Sequence, residues 1–430
     1  MQKDPTYVSS IGEVGPKEER ALVGEVGVEM SDIEAIQQFS TTPRGNEVIM
    51  TNPEFAARVQ QYELLATQHG SYWQHEFIDH AYLYNLYFPP QRFFDQITSQ
   101  LRELVLNYPV AQGVLAEMVG ELIDQSPERI VVGNGASELI KIVSSHIANK
   151  LIVPVPSFNE YVNAAPTGKA VEYNLDAPSF QLDADKFAAA AARCQADVAV
   201  VVTPNNPTSL LVPKADLVRL LGKLAEIDCM LIIDESFIDF TEEPEQTTLE
   251  SDIAQYSNLA IFKSMSKAYG ICGLRIGYML SANTAFTDKV RQGLSIWNLN
   301  GFAEAFLRHA PEYRDEFKVS CTKVKADRDQ FYQDLCTIKG MSVYKPDANY
   351  IFCRLPANAP TGPEVARQLF IDQHIYIKHC DGKTMPDRSR YLRIASRSAG
   401  ENKRLVIALA KIVAAEIPEN VPHVFDRERF

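Results

Sequence analysis

The chain has 430 residues, 46% of them hydrophobic and 23% charged, the balance of a soluble globular enzyme with room for one large domain and a smaller one. Its formal net charge of −13 argues against nucleic acid as the main partner, because a phosphate backbone demands a basic surface. A small anionic substrate is still allowed, since it needs only a local cluster of arginines.

Residues 1–45 mix Gly, Glu, Ser and Pro without an apolar period and read as an N-terminal extension. The opening is too acidic and polar for a signal peptide, and no stretch approaches the ~20 apolar residues of a membrane span. The seven cysteines (194, 229, 272, 321, 336, 353 and 380) are scattered without a CxxC pair, which fits free thiols in a reducing compartment. No His/Cys spacing suggests a metal. A cytoplasmic protein without membrane contact is expected.

From Asn46 to about Tyr87 the text turns helical and aromatic, with Asn52-Pro53 as cap and first turn. Residues 46–95 are expected to form the first part of a smaller domain. Over 96–320 seven β-rich runs follow: RIVVGNG, LIVPVPSF, AVEYNL, VAVVVTPNNP, MLIIDESF, LAIFKSMSK and IGYMLS. Helical patterns such as ASELIKIVSSHIANK and PKADLVRLLGKLAEI lie between several of them. The alternation predicts an α/β fold, a mostly parallel seven-stranded sheet covered on both faces, with ligands at the carboxyl ends of its strands. Over 321–430, VKADRDQFYQDLCTI and GENKRLVIALAKIVAAEI read as helices, and VYKPDANYIFCRLP, IYIKHC and YLRIASRS as strands of a smaller α+β domain.

The strand exits carry the chemistry. GNGASE places small residues before a helix start, where backbone N–H groups can converge on an anion; a tight turn with no ligand reads equally from these residues alone. LIID ends an apolar strand on Asp234, a carboxylate that suits a ligand cation or a helix cap. TPNNPTS holds Asn205 and Asn206 between prolines. In SMSKAYGICGLR, Lys267 follows two serines, with a cation at Arg275. A lysine held there can lose its proton and form a Schiff base with an aldehyde, while the serines and arginine suit a phosphate.

Taken in order, GNGASE, PSFNEY, TPNNPTS, IIDESF, SMSKAYGICGLRIGY and YLRIAS resemble the motifs of the fold type I aminotransferases of class I/II. Within that family the chain is most similar to the histidinol-phosphate aminotransferase and threonine-phosphate decarboxylase branch. The resemblance implies pyridoxal 5′-phosphate as cofactor, carried by Lys267, which also moves the proton at the substrate carbon. It implies Asp234 at the pyridine nitrogen, Asn206 on the ring oxygen, and Phe158 stacked on the ring with Tyr161 as its alternative. The cofactor phosphate falls to Ala136, Ser137, Ser264, Ser266 and Arg275. Tyr108 would reach the phosphate of a neighbouring subunit, which implies a homodimer. Arg393 would grip the substrate carboxylate, with Tyr161, Asn85 and Tyr87 near the substrate.

Two departures bear on the reaction. Phe237 stands where most of these aminotransferases have a tyrosine, and Arg397 where the histidinol-phosphate enzymes have a glycine. Both resemble the threonine-phosphate decarboxylases. Residues 393, 395 and 397 share one face of an extended strand, so two guanidinium groups can converge on a doubly anionic substrate. The sequence thus reads as an aminotransferase of a small anionic amino acid bearing a phosphate, phosphonate or second carboxylate. Decarboxylation of a phosphorylated or phosphono amino acid is the second reading, and a non-catalytic binding protein on the same fold a remote third.

Overall fold

The computed structural model describes residues 53–414 apart from 68, 69 and 71; the expected arm at residues 1–45 and the cap Asn52 lie outside them. A helix runs from Pro53 to Thr67, as its apolar spacing predicts. The helical and aromatic reading beyond it needs correction. The chain makes a short turn at Tyr72–Gln74 and then a strand, β1 (Ile78–His80). Three residues carry little local signal for a strand, and the partner that holds β1 comes late in the chain: Ile78 pairs with Ile375.

All seven expected strands of the large sheet form: β2 (Ile130–Asn134), β3 (Leu151–Val155), β4 (Ala170–Asn174), β5 (Val198–Val202), β6 (Met230–Asp234), β7 (Leu259–Ser264) and β8 (Ile276–Leu280). Their order is β2-β8-β7-β6-β5-β3-β4, parallel except for β8, which runs against both its neighbours. Residues alternate between two apolar cores: Val201, Leu231, Ile233 and Ile261 pack on one face, Val200, Val202, Ile232 and Phe262 on the other. That double burial is why these strands read as near-continuous apolar runs.

A second sheet has the order β1-β11-β12-β10-β9, with β9 (Ser342–Val343), β10 (Tyr350–Arg354), β11 (Ile375–His379) and β12 (Tyr391–Ala395). Helices Arg314–Cys336, Gly362–Gln373 and Ala399–Ala414 accompany it, the first running continuously through residue 320. Ile375, Ile377, Leu392 and Ile394 face an apolar core. The alternate residues, Tyr376, Lys378 and Arg393, point from the opposite face into a cavity of about 1330 Å³. That cavity also takes in the carboxyl-end loops of the large sheet, so strand alternation in one sheet and strand exits in the other build a single site.

Candidate active site

At the exit of β2 the helix Gly135–Ile142 begins. The Asn134 N–H donates to Glu138 Oε2 (2.7 Å) and the Gly135 N–H to the Arg275 carbonyl (2.7 Å). Ala136 and Ser137 thus occupy the first turn, where amides have no intrahelical acceptor and suit an anion. Arg275 Nη2 donates to Ser137 Oγ and Nη1 to Ser266 Oγ, each at 3.3 Å, tying the two halves of this corner together. Two glycines make the approach possible. Gly135 has φ +69°, and a Cβ on it would lie 2.3 Å from Arg275 Nη2; one on Gly277 would lie 2.3 Å from the Ala136 nitrogen. Ser264 is placed differently: it does not line the cavity, and its N–H donates to Ser236 Oγ (3.0 Å).

The Ser236 hydroxyl donates in turn to Asp234 Oδ1 (2.6 Å), which also accepts the Ser236 N–H (3.1 Å). Asp234 Oδ2 accepts from the Tyr161 hydroxyl at 3.0 Å. Burial pushes the Asp234 carboxyl above its ordinary range, and the donors from Ser236 and Tyr161 oppose that push. Lys267 lines the cavity, and its ammonium makes no hydrogen bond or ion pair among the described residues. Burial, with Arg393 and Arg275 nearby, holds its pKa below the usual lysine value. A lysine that gives up its proton more readily is a better nucleophile and proton carrier.

Opposite stands Arg393, with Nη1 donating to Asn206 Oδ1 (3.2 Å) and Nη2 to the Ala81 carbonyl (2.6 Å). Its Nε is buried without a partner among the described residues. Arg397 also lines the cavity; Nη1 donates to the Tyr84 hydroxyl (3.1 Å) and Nη2 meets Glu401 Oε1 (3.2 Å). Sequence reasoning missed two further cations. Lys378, opposite Arg393 across β11 and β12, donates to the Tyr376 hydroxyl (3.0 Å). Lys383 donates to the Ser157 carbonyl (2.6 Å) and to Asn159 Oδ1 (2.9 Å). Burial, with Arg393 nearby, lowers both to about 8. Among the described residues, Lys267, Arg275, Lys378, Lys383, Arg393 and Arg397 line the cavity against two carboxylates, Asp79 and Glu160. A chain of net charge −13 therefore keeps a basic cavity, which is a site for an anion.

Other sequence candidates lie elsewhere. Phe158 lines the cavity, half-exposed and edge-on to Tyr161 (6.5 Å, 83°). Tyr161 is fully buried behind it and meets no cavity space, because its hydroxyl is engaged by Asp234. Asn85 is buried as well. Its backbone N–H donates to the Lys267 carbonyl and its Nδ2 to the Ala268 carbonyl, each at 2.9 Å, so it steadies the lysine segment from behind. Tyr87 turns outward to Asp327. Tyr108 does not line this cavity; 78% exposed, it stacks on Trp297 with ring centroids 4.3 Å apart. Phe237 is buried edge-on to Tyr350 (5.1 Å, 78°).

The sequence profile described as "Aminotransferase class I and II" matches residues 107–412, which hold the cradle, Asp234, Lys267 and Arg393. The chain belongs to the class I and II aminotransferases. It is 40% identical over 359 residues to the CMP-5′-(3-aminopropyl)phosphonate synthase of Streptomyces rubellomurinus, covering 84% of this chain and 56% of that longer protein. It is 30% identical over 359 residues to the L-serine phosphate decarboxylase of Sulfurospirillum multivorans, covering 78% of this chain and 88% of that one. The crystal structure of the histidinol-phosphate aminotransferase from Clostridium acetobutylicum superposes with a TM-score of 0.71 at 27% identity, over 78% of this chain and 99% of that one.

The cofactor of this aminotransferase-family enzyme is pyridoxal 5′-phosphate, and the residues present fit it. Because Gly135 carries no side chain, Arg275 packs close against the turn and meets Ser137 and Ser266 there, a corner that suits a phosphate. Asp234, buried and supplied with donors, suits a cationic ring nitrogen, and the unpaired Lys267 suits an aldehyde. No helix among the described residues is long and apolar enough to cross a membrane.

Proposed function

We propose that this chain decarboxylates an amino acid bearing a phosphonate or phosphate. The observation that carries the reading is the surplus of cations beyond Arg393. Arg397, Lys378 and Lys383 line the same cavity, and none of them bonds the serines that hold Arg275. A side chain with a single carboxylate leaves most of them unused. The relatives support it: one is named as synthase of CMP-5′-(3-aminopropyl)phosphonate, an amine without an α-carboxylate, another for decarboxylating serine phosphate. Restoring a carboxyl group to the amine-bearing carbon of 3-aminopropylphosphonate gives 2-amino-4-phosphonobutyrate, the substrate we would try first. Transamination, first in the sequence reading, becomes the second. The likeness to a histidinol-phosphate aminotransferase structure supports it.

When bound, the cofactor supplies an electron sink for the bond broken at the substrate α-carbon. The chain's residues do the rest. Ala136, Ser137, Ser266 and Arg275 hold the phosphate; Asp234 keeps a proton at the ring nitrogen; Asn206 donates to the ring oxygen while Phe158 covers the ring. Arg393 orients the α-carboxylate, and Arg397 with the two lysines takes the phosphonate. Lys267, whose pKa burial lowers, delivers the proton that replaces the lost carboxyl group. Tyr108 and Trp297, exposed beside Val105, Leu106 and Ile296, form the face of a homodimer in which Tyr108 reaches the partner's phosphate site. A monomer in light scattering at micromolar concentration would remove that part.

The test is a single half-reaction. Holoenzyme, with no keto acid present, is mixed with 2-amino-4-phosphonobutyrate, phosphoserine and glutamate, and carbon dioxide, amine and keto acid are measured. Carbon dioxide and amine with repeated turnover support decarboxylation. One equivalent of keto acid and loss of the cofactor's absorbance band would establish transamination in its place.

A further inference from the structure

The cavity has to hold the cofactor as well as a substrate, and its lining beyond Arg393 has a direction. Its volume is about 1330 Å³, whereas pockets for drug-sized ligands run roughly 300–1,000 Å³. From Arg393 the register leads across to Lys378, and two residues along β11 on the same face stands Tyr376, whose hydroxyl accepts from Lys378 Nζ. Tyr376 meets Tyr72 edge-on (5.4 Å, 88°), and Tyr72 lies flat on Tyr82 (4.4 Å, 17°). At this end Trp73 also lines the cavity, 86% exposed, and among the described residues its indole has no ring or cation beside it. Asp79, the β1 register partner of Tyr376, puts a carboxylate at the same end; its Oδ1 accepts the N–H groups of Ala81 and Tyr82.

A chain of cations that ends in flat aromatic walls and one acceptor has a chemical counterpart. A polyanionic linker fits the cations, a planar ring fits Trp73 and the tyrosines, and a ring N–H donor fits Asp79. A phosphonate that took Arg397 and one of the two lysines would leave the other lysine for a second phosphoryl group. We infer that the substrate's phosphonate is joined through a second phosphoryl group to a nucleoside, whose base stacks on Trp73. This rests on the decarboxylase reading and narrows it to a nucleotidylated phosphono amino acid. Trp73 is then a specificity-determining residue, because its exposed indole lines the cavity at the end that the base would occupy.

The experiment compares 2-amino-4-phosphonobutyrate with its mixed anhydrides to cytidine, uridine and adenosine 5′-monophosphates, on the holoenzyme. One of the anhydrides is expected to show at least a hundredfold higher kcat/KM than the free phosphonate. Trp73→Ala should cut that preference at least tenfold, and Trp73→Phe should restore most of it. Independently of turnover, a nucleoside 5′-monophosphate should quench tryptophan emission in the wild-type holoenzyme and not in Trp73→Phe. Equal kcat/KM for free and nucleotidylated substrates, without quenching, overturns the inference and leaves the decarboxylase reading standing. Quenching without product from any substrate overturns the decarboxylase reading and keeps the nucleoside site. Neither product nor quenching overturns both.

Discussion

Tyr161 and Asp234 come from different strand exits and meet in the interior, the tyrosine hydroxyl 3.0 Å from Oδ2 while Ser236 supplies both donors to Oδ1. These donors oppose the burial that pushes the carboxyl's pKa up. The pair explains why a residue expected near substrate lies behind the ring pocket: its donor is spent on the carboxylate that the pocket needs.

Tyr161→Phe should therefore damage the cofactor site more than the fold. A hydrogen bond to a charged group contributes about 1.5–3 kcal/mol. That contribution exists only while Asp234 is ionised. The difference in stability between wild type and variant should be largest above the carboxyl's raised titration and shrink as pH falls through it. Chemical denaturation of both apoproteins at several pH values measures it, and a gap that does not change with pH would assign Tyr161 to packing. Cofactor affinity, read by absorbance titration, should fall roughly tenfold, the factor that ~1.4 kcal/mol represents.

Gly135→Ala tests the phosphate cradle. Alanine at φ +69° costs about 1–2 kcal/mol, and its methyl group would stand 2.3 Å from Arg275 Nη2, so the guanidinium must move away from Ser137. The variant should fold with a modestly lower Tm and release pyridoxal 5′-phosphate on dialysis, while the wild type retains it. Equal retention would place the phosphate elsewhere.

The strand exits were legible because each is announced locally: an apolar run stops, and small, polar or proline residues follow. Asp234, Lys267 and Ser266 needed no partner to be found. Lys378 and Lys383 were missed because their meaning comes from pairing. Lys378 gains its place from Arg393 across the β11–β12 ladder, and Lys383 from Ser157 in the large sheet's loop. The signal for Lys378 was present: in IYIKHC, isoleucines alternate with Tyr376 and Lys378, so the lysine had to share the tyrosine's face. Tyr87 misled for a related reason. A motif position fixes the backbone, whereas Asp327, far along the chain, decides where its hydroxyl turns.

The two lysines also set a pH limit. Both are lowered to about 8 by burial, so they are cations below that pH and neutral above it. Binding of a phosphonate should weaken as pH rises through about 8. For stability the sign is opposite: burying these charges costs most at low pH, and the cost is relieved between about 8 and the ordinary lysine value of 10.5. kcat/KM for the phosphonate should therefore decline above about pH 8 while the apoprotein gains stability there. Lys383→Met should raise KM roughly tenfold at pH 7, the loss of one charge-assisted hydrogen bond, and flatten part of the decline. An unchanged profile in the variant would confine Lys383 to tethering Ser157 and Asn159.

Arg397 can be removed more cleanly than most half-buried charges. Its partner Glu401 also accepts the Ser398 hydroxyl (2.7 Å) and N–H (3.2 Å), so the carboxylate keeps donors when the guanidinium is gone. The Tyr84 hydroxyl loses a donor but is itself able to donate. Arg397→Gly should accordingly cost little stability, and its effect should read on the substrate. KM for a phosphonate or phosphate substrate should rise at least tenfold, the scale of one charge-assisted contact, with a much smaller change for the analogue in which that group is replaced by an uncharged amide. The comparison separates two roles for one side chain. A cation that meets the substrate discriminates between the two compounds, whereas one that only ties Glu401 and Tyr84 together weakens both alike.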